Sequence, residues 1–267
     1  MVAWLRKLVL TAYGIKNNLA GLNKLSADRA YEQKIKNAIG KKELVLALEY
    51  GGLGDVLVFT TLPRLLTEKY GLDFYLDENS RKIFRHSDIL KLCFELNPYF
   101  KGFKPTNEPF YFHRRAKDRG WLNLLTDWNG KNLTTTVEEQ FDVLDRGLPE
   151  IYYQPKKLSG YEKTVLVDLN FLSGHKLGWY YDLEKTEKLL EQYRQRGFQI
   201  EYVDPKKQDL FAYADMIYSA HKFITVLSGG AALAAALKSE AIVFLPANAR
   251  GESVYNFVFP NSPIGYL

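Results

Sequence analysis

Hydrophobic residues occur in two patterns along this chain. Short apolar runs, typical of strands buried on both faces, alternate with longer stretches that have helical periodicity. In the first half these patterns predict strand Leu44–Leu48, helix Val56–Tyr70, strand Leu72–Leu76 and helix Val137–Leu144. Pro63 lies within the first of these helices, so that helix is expected to kink or to begin late.

The second half of the chain repeats the alternation. Strands are predicted at Thr164–Leu169, Phe198–Val203, Phe223–Leu227 and Ala241–Leu245, and helices at Leu183–Arg196, Leu210–Ala220 and Ala231–Lys238. Such alternation is typical of parallel sheets built from right-handed βαβ units. We therefore predict an α/β fold with two Rossmann-like domains, at residues 43–155 and 156–267, whose parallel sheets face a cleft. A linker containing two prolines is predicted at 149–160.

The positive charge is concentrated at the N-terminus. Residues 1–42 contain nine basic and two acidic side chains, so their net charge is +7. The remaining 225 residues have a net charge of −2, which gives +5 for the whole chain. Apolar residues from Trp4 to Ile15 are spaced to form one face of a helix that is too short to span a bilayer. We predict a basic amphipathic helical extension at 1–42. It either contacts an anionic membrane surface or packs on the body of the protein.

Several classes of site are not expected from the composition. Cys93 is the single cysteine, which excludes an internal disulfide framework and a cysteine-rich metal site. The four histidines do not have the spacing of a metal site, and no Walker A or D-x-D sequence is present. Nucleic-acid binding is not predicted, because the excess of basic residues is confined to the extension and no recognised motif accompanies it. We expect no metal and no bound cofactor.

Two glycine-rich turns lie where a predicted strand is followed by a helix. They are Gly51-Gly52-Leu53-Gly54-Asp55 and Ser228-Gly229-Gly230. A helix N-terminus offers free N–H groups and a partial positive charge, and glycine lets an anion approach the backbone closely. Gly51, Gly52 and Gly54 are candidates for the acceptor or phosphate side of a cleft, the alternative being a plain tight turn. The second turn could bind a diphosphate, or could instead allow close packing of helix on strand.

Three segments together are more specific than either turn alone. Leu46–Pro63 reads LALEYGGLGDVLVFTTLP, Asn97-Pro98-Tyr99 follows it, and Asp209–Leu245 contains ADMIYSAHKFITVLSGGAALAAAL. In order and separation they resemble the lipopolysaccharide heptosyltransferases, glycosyltransferase family 9. The resemblance implies the glycosyltransferase B fold and covers both halves of the chain. The chain has Ala232 where the family usually has His, and Lys176-Leu177-Gly178-Trp179 matches a family lysine–tryptophan element only loosely.

The resemblance also implies roles for individual residues. Asp55 would be the general base that deprotonates the acceptor hydroxyl, although Asp is also favoured as a helix cap. The donor diphosphate would be bound by Ser173, Gly174, His175, Lys176, Ser228, Gly229 and Gly230. Arg114 and Arg115 could contact an anionic acceptor or form a solvated basic loop. Asn248, Arg250 and Glu252 follow the last predicted strand and could contact a sugar or nucleotide.

The function predicted on this basis is metal-independent, inverting glycosyl transfer. The donor would be a nucleotide-diphosphate sugar, heptose or another, and the acceptor a bacterial surface glycan or lipid-linked glycan. The expected location is the cytoplasm, with peripheral contact to the inner face of the bacterial inner membrane. Two alternatives remain open: a nucleotide-sugar hydrolase or epimerase, and a non-catalytic nucleotide- or glycan-binding protein of the same fold.

Overall fold

The computed structural model describes residues 32–111, 132–170, 180–204, 208–248 and 258–267. It contains two sheets, one of four and one of five strands, in which every pair of neighbouring strands is parallel. The predicted α/β class with two parallel sheets is therefore confirmed. No helix in the described ranges combines the length and apolar character needed to cross a membrane.

The N-terminal sheet has the strand order β3-β2-β1-β4. The elements of this half are α1 (32–41), β1 (Glu43–Ala47), α2 (Leu53–Leu57), α3 (Leu62–Tyr70), β2 (Asp73–Asp77), α4 (Ser87–Leu90), β3 (Phe100–Lys104), β4 (Phe110–Tyr111) and α5 (Leu133–Gln140). A 3₁₀ turn covers Glu78–Lys82, and a π-helical turn covers Lys91–Glu95. Strand β1 lies between β2 and β4, so the first glycine-rich turn follows a central strand.

Proline and capping residues decide where two of these helices begin. The stretch predicted as one helix is divided into α2 and α3, with Pro63 in the first turn of α3, where its missing N–H would have no helical partner. The predicted limits of α5 are wrong, because the helix begins four residues earlier. Asn132 caps it there by accepting a hydrogen bond from the Thr135 N–H at 2.9 Å.

The C-terminal sheet has the strand order β6-β5-β7-β8-β9. Its elements are β5 (Thr164–Asp168), α6 (Leu183–Gln195), β6 (Gln199–Tyr202), α7 (Leu210–Ser219), β7 (Lys222–Val226), α8 (Gly229–Leu237), β8 (Ala241–Phe244) and β9 (Ile264–Tyr266). All five residues of β5 are buried, as the continuous apolar run predicted. Strand β9 was not predicted, and it completes the sheet by pairing with β8.

The two halves share one continuous hydrophobic core. Leu46 and Phe74 from the first sheet belong to the same buried cluster as Phe223 and Ala234 from the second half. The predicted linker packs on α7, where the Asp215 carboxylate accepts hydrogen bonds from the Tyr153 hydroxyl and the Lys156 N–H, each at 2.8 Å. The proposed division at residues 155 and 156 remains a prediction.

Helix α1 shows how the end of the basic extension is used. Its apolar residues Ile35, Ala38 and Ile39 pack against the core, whereas Lys34, Lys36 and Lys41 are exposed. Residues 32–41 thus pack on the body of the protein, which is what the packing alternative predicted for the extension. Residues 1–31, which hold the predicted amphipathic stripe, lie outside the described residues.

Candidate functional site

Each glycine-rich turn lies at the carboxyl end of a strand where the sheet order reverses. In the first sheet the chain runs from β1 to β2 on one side of β1 and later to β4 on the other side, and the first turn follows β1. In the second sheet the chain runs from β5 to β6 on one side of β5 and then to β7 on the other side, and the second turn follows β7. Ligands of open α/β sheets bind at such switch points, in the crevice outside the carboxyl ends of the strands. The topology therefore places both predicted turns where a ligand site is expected.

Gly51 allows a close approach between two loop segments. A Cβ atom at this position would lie only 1.9 Å from the carbonyl oxygen of Ile83. The Arg85 N–H also donates a hydrogen bond to the Gly51 carbonyl oxygen at 3.1 Å. Gly51 is therefore required by the packing of the Ile83–Arg85 segment on the turn, which the sequence did not indicate.

Asp55 is the acidic side chain in the first turn of α2, whose N-cap residue is Gly52. It is half-buried in the first turn of α2, and its carboxylate accepts a hydrogen bond from the Gly52 N–H. Burial raises the pKa of Asp55, while the charge of Arg85 and the Gly52 hydrogen bond act in the opposite direction. Asp55 is therefore not the N-cap residue, although it accepts a hydrogen bond from the backbone of that residue. A raised pKa also makes this carboxylate a stronger base than an exposed aspartate.

The second turn begins α8 with a side-chain cap. The Ser228 hydroxyl oxygen accepts a hydrogen bond from the Gly230 N–H at 3.2 Å. A Cβ atom at Gly230 would lie 2.5 Å from the Tyr213 hydroxyl oxygen and 3.4 Å from a carboxylate oxygen of Asp168. Gly230 therefore serves close packing at the start of α8, which was the alternative to anion binding at this residue.

Asp168 and Tyr213 form a buried pair beneath the second turn. The Tyr213 hydroxyl donates a hydrogen bond to Asp168 at 2.6 Å, and Asn170 donates two more, from its N–H at 2.9 Å and its side-chain amide at 3.2 Å. Burial raises the pKa of Asp168, although these hydrogen bonds oppose the increase. The sequence pattern did not indicate this pair. The available signal was an acidic residue at the carboxyl end of the buried strand β5.

The two turns are in direct contact with each other. A Cβ atom at Gly229 would lie 3.0 Å from the Leu53 Cβ and 3.1 Å from the Gly54 nitrogen, and α2 packs against α8. The structure thus brings together two groups of predicted residues, namely Gly51, Gly52, Gly54 and Asp55 from one turn, and Ser228, Gly229 and Gly230 from the other. The turn that carries Asp55 therefore adjoins the capped N-terminus of α8.

The segment before α6 is anchored to the same edge of the C-terminal sheet. The Asn248 side-chain oxygen accepts a hydrogen bond from the Tyr180 N–H at 2.7 Å, and the Tyr180 carbonyl oxygen accepts one from the Ala247 N–H at 2.7 Å. Tyr181 is buried, and its hydroxyl lies beside the backbone of Leu227. Asn248, a predicted sugar or nucleotide contact, therefore positions the segment that follows residues 171–179.

Other predicted site residues lie outside the described residues. These are Arg114, Arg115, Ser173, Gly174, His175, Lys176, Arg250 and Glu252. Within the described ranges, no group of three or more His, Cys, Asp or Glu side chains comes together as a possible metal site. Ala232, which stands where the resembling family has His, is completely buried in the core.

Solved structures with a fold similar to that of this chain include glycosyltransferases. A glycosyl transferase family 9 structure from Veillonella parvula DSM 2008 aligns with a TM-score of 0.52 and 10% identity, covering 84% of this chain and 85% of that chain. TibC from enterotoxigenic E. coli H10407, an iron-containing dodecameric glycosyltransferase, aligns with a TM-score of 0.55 and 13% identity. A complex of the heptosyltransferase TibC with ADP-D-beta-D-heptose aligns with a TM-score of 0.53 and 14% identity.

The alignments cover different shares of the proteins that are compared. The alignments with TibC cover 75% and 76% of this chain but only 57% of the TibC chains, so this chain spans little more than half of that protein. No protein-family model matches the chain, and no curated protein matches it by sequence. At 10–14% identity the similarity is one of fold. The chain has the two-sheet α/β fold found in family 9 glycosyltransferases.

Proposed function

We propose that the protein is a metal-independent glycosyltransferase. It transfers a sugar from a nucleotide-diphosphate donor to the hydroxyl group of an acceptor, with Asp55 as the general base. The observation that carries this proposal is the contact between the two switch-point turns, because it places the Asp55 helix directly against the N-terminus of α8. A base and a helix N-terminus that can accept a diphosphate are the two groups that this reaction requires.

The finer parts of the proposal rest on the family resemblance and on the fold. The donor is a nucleotide-diphosphate heptose or a related sugar, in keeping with the ADP-heptose complex of TibC. Direct attack by the acceptor oxygen needs one base and no enzymic nucleophile, so the reaction inverts the anomeric centre. Lys176 and the Ser228–Gly230 turn stabilise the leaving diphosphate, and Arg114 and Arg115 contact an anionic bacterial surface-glycan acceptor.

A second candidate is donor or glycan binding without transfer. The observation that favours it is Ala232, which replaces a histidine of the resembling family and is completely buried. A thermal-shift panel of nucleoside diphosphates and their sugars tests both candidates. A true ligand at about 100 times its dissociation constant stabilises the protein by about 2.7 kcal/mol. No stabilisation by any member of the panel would count against both candidates.

The variant Asp55→Asn separates catalysis from binding. Its amide oxygen can still accept the Gly52 N–H, so this hydrogen bond in the first turn of α2 is kept while the base is lost. We expect transfer to fall by about 10²–10⁴-fold with donor binding retained. Asp209→Asn is the matched control, because Asp209 caps α7 through the Phe211 and Ala212 N–H groups. Transfer that survives in Asp55→Asn would refute the assigned role.

We also propose a cytoplasmic location with peripheral membrane contact through the basic extension. The full-length variant with Arg6, Lys7 and Lys16 changed to Glu is expected to lose co-sedimentation with vesicles that contain anionic lipid. Each basic residue near such a surface contributes about 1 kcal/mol. The control reverses three exposed lysines of the body, Lys101, Lys185 and Lys188. Equal vesicle binding by both variants would refute the membrane contact.

A further inference from the structure

The segment Ile83–Arg85 lies tightly on the first glycine-rich turn. The Ile83 carbonyl oxygen lies 1.9 Å from the point that a Gly51 Cβ would occupy, and the Arg85 N–H donates to the Gly51 carbonyl oxygen at 3.1 Å. Both contacts are made by backbone atoms, so they fix the path of the segment whatever its side chains are. The path ends with the Arg85 side chain beside the turn.

The Arg85 guanidinium and the Asp55 carboxylate both lie close to Gly52. The guanidinium carbon is 3.3 Å, and a carboxylate oxygen 2.8 Å, from the point that a Gly52 Cβ would occupy. Because both distances start from one point, the two groups lie within about 6 Å of each other, where an opposite charge favours the ionised carboxylate. Any side chain at Gly52 would displace one of them.

Arg85 is the charged side chain that acts on Asp55 among the described residues. Helix α8, which packs on α2, has no ionisable side chain in Gly229–Leu237. Glu49 and Tyr50 are the other titratable groups on the connection from β1 to α2. Arg85 is exposed, and its side chain forms no ion pair within 4.0 Å to any carboxylate of the described residues. Within the part of the chain that the structure describes, no other carboxylate therefore engages the Arg85 charge at ion-pair distance.

We propose that Arg85 is a positioning residue whose charge, close to the Asp55 carboxylate at Gly52, favours the ionised form of that carboxylate. The catalytic consequence rests on the proposed function. In transfer, the acceptor oxygen forms the new bond to the sugar while its proton moves to Asp55. The electron pair of the breaking sugar–phosphate bond leaves with the nucleotide diphosphate. Only the ionised carboxylate can accept that proton, so Arg85 widens the pH range in which the base works.

A carboxyl-carbon NMR titration of Asp55 in the full chain tests this proposal. The resonance is assigned with Asp55→Asn, and the titration midpoint is compared in the parent protein, Arg85→Gln and Arg85→Lys. We expect Arg85→Gln to raise the midpoint by about one pH unit and Arg85→Lys to restore most of it. The difference should shrink at about 1 M NaCl, because salt screens charges that are exposed to solvent.

Arg81→Gln is the matched control. Like Arg85, Arg81 lies between β2 and α4, but it forms an ion pair with Glu78 and stacks on the Phe103 ring. Its substitution should therefore leave the Asp55 titration midpoint unchanged. A midpoint in Arg85→Gln within about 0.2 units of the parent value would overturn the proposal. Equal shifts in both arginine variants would do the same, since they would report only the net charge of the surface.

The titration also separates this proposal from the proposed function. If transfer is measured, Arg85→Gln should move the acidic limb of the kcat/KM profile to higher pH and keep activity at alkaline pH. An equal loss at every pH would contradict a positioning role. If the parent protein transfers no sugar, the proposed function fails, and the NMR midpoint still decides whether Arg85 sets the ionisation of Asp55.

Discussion

The contact between Gly230 and Tyr213 allows a quantitative test of how the N-terminus of α8 is positioned. A Cβ atom at Gly230 would lie 2.5 Å from the Tyr213 hydroxyl oxygen, 3.3 Å from a ring carbon of Phe223 and 3.4 Å from Asp168. The shortest of these contacts is with one atom that can be removed by mutation. Tyr213 is only 1% exposed, and its hydroxyl is bound to Asp168, so it cannot turn away freely.

The magnitudes follow from these contacts. Gly230→Ala inserts a methyl group into a filled space, which costs about 1–3 kcal/mol, and the better helix propensity of alanine offsets up to about 1 kcal/mol. Tyr213→Phe removes a hydrogen bond to a buried carboxylate, which costs about 1.5–3 kcal/mol. In Tyr213→Phe the oxygen at 2.5 Å is gone, so the added methyl group should be tolerated.

The two substitutions are therefore expected to be non-additive. The double variant should be about 1–2 kcal/mol more stable than the sum of the two single effects predicts. Urea denaturation of the four proteins, followed by far-UV circular dichroism, measures the coupling, provided that the m-values agree. Additivity within about 0.5 kcal/mol would refute the reasoning, because it would mean that α8 does not rest on the Tyr213 hydroxyl.

Two further predictions concern other buried positions. Gly51→Ala should destabilise the protein by about 3 kcal/mol, because its methyl group would overlap the Ile83 carbonyl. Gly40→Ala is the control, because a Cβ atom at this position in α1 would meet nothing within 4 Å, and this substitution should stabilise the protein by about 0.5–1 kcal/mol. Similar effects of Gly51→Ala and Gly40→Ala in urea denaturation would contradict the packing at Gly51. Burial raises the pKa of Glu138 above its ordinary value of about 4.5, so the native state binds the carboxyl proton more tightly than the unfolded state does. The free energy of unfolding therefore falls as pH rises from about 4.5 through the pKa of the folded protein. Glu138→Gln should flatten that fall in the free energy of unfolding, and an unchanged pH dependence would count against it.

Two of the strands that the sequence predicted correctly have nearly continuous apolar runs. Thr164–Asp168 and Lys222–Val226 were found within a residue or two, because their burial on both faces removes polar positions from the pattern. Phe110–Tyr111 falls in a stretch with no clear period and becomes a strand only by pairing with β1. The strand Ile264–Tyr266 likewise depends on its pairing with β8.

The candidate site was predicted in part. Asp55 and the two glycine-rich turns were selected because a strand, a turn and a helix follow one another locally, and that order is visible in the sequence. Arg85 was missed because it reaches Asp55 through a backbone contact across some thirty positions of sequence. Tyr213 was missed for the same reason, since its partner Asp168 lies 45 positions away.

By itself the sequence determined the α/β class, the order of most strands and helices, and the strand-to-helix turns that are candidates for a ligand site. These depend on local periodicity and on the backbone freedom of glycine, which neighbouring residues encode. The tertiary structure alone decided what each glycine faces: Ile83 at Gly51, Tyr213 at Gly230, and the opposite turn at Gly229. It also decided that the two turns are in contact, because close packing between distant segments leaves no periodic signal in the chain.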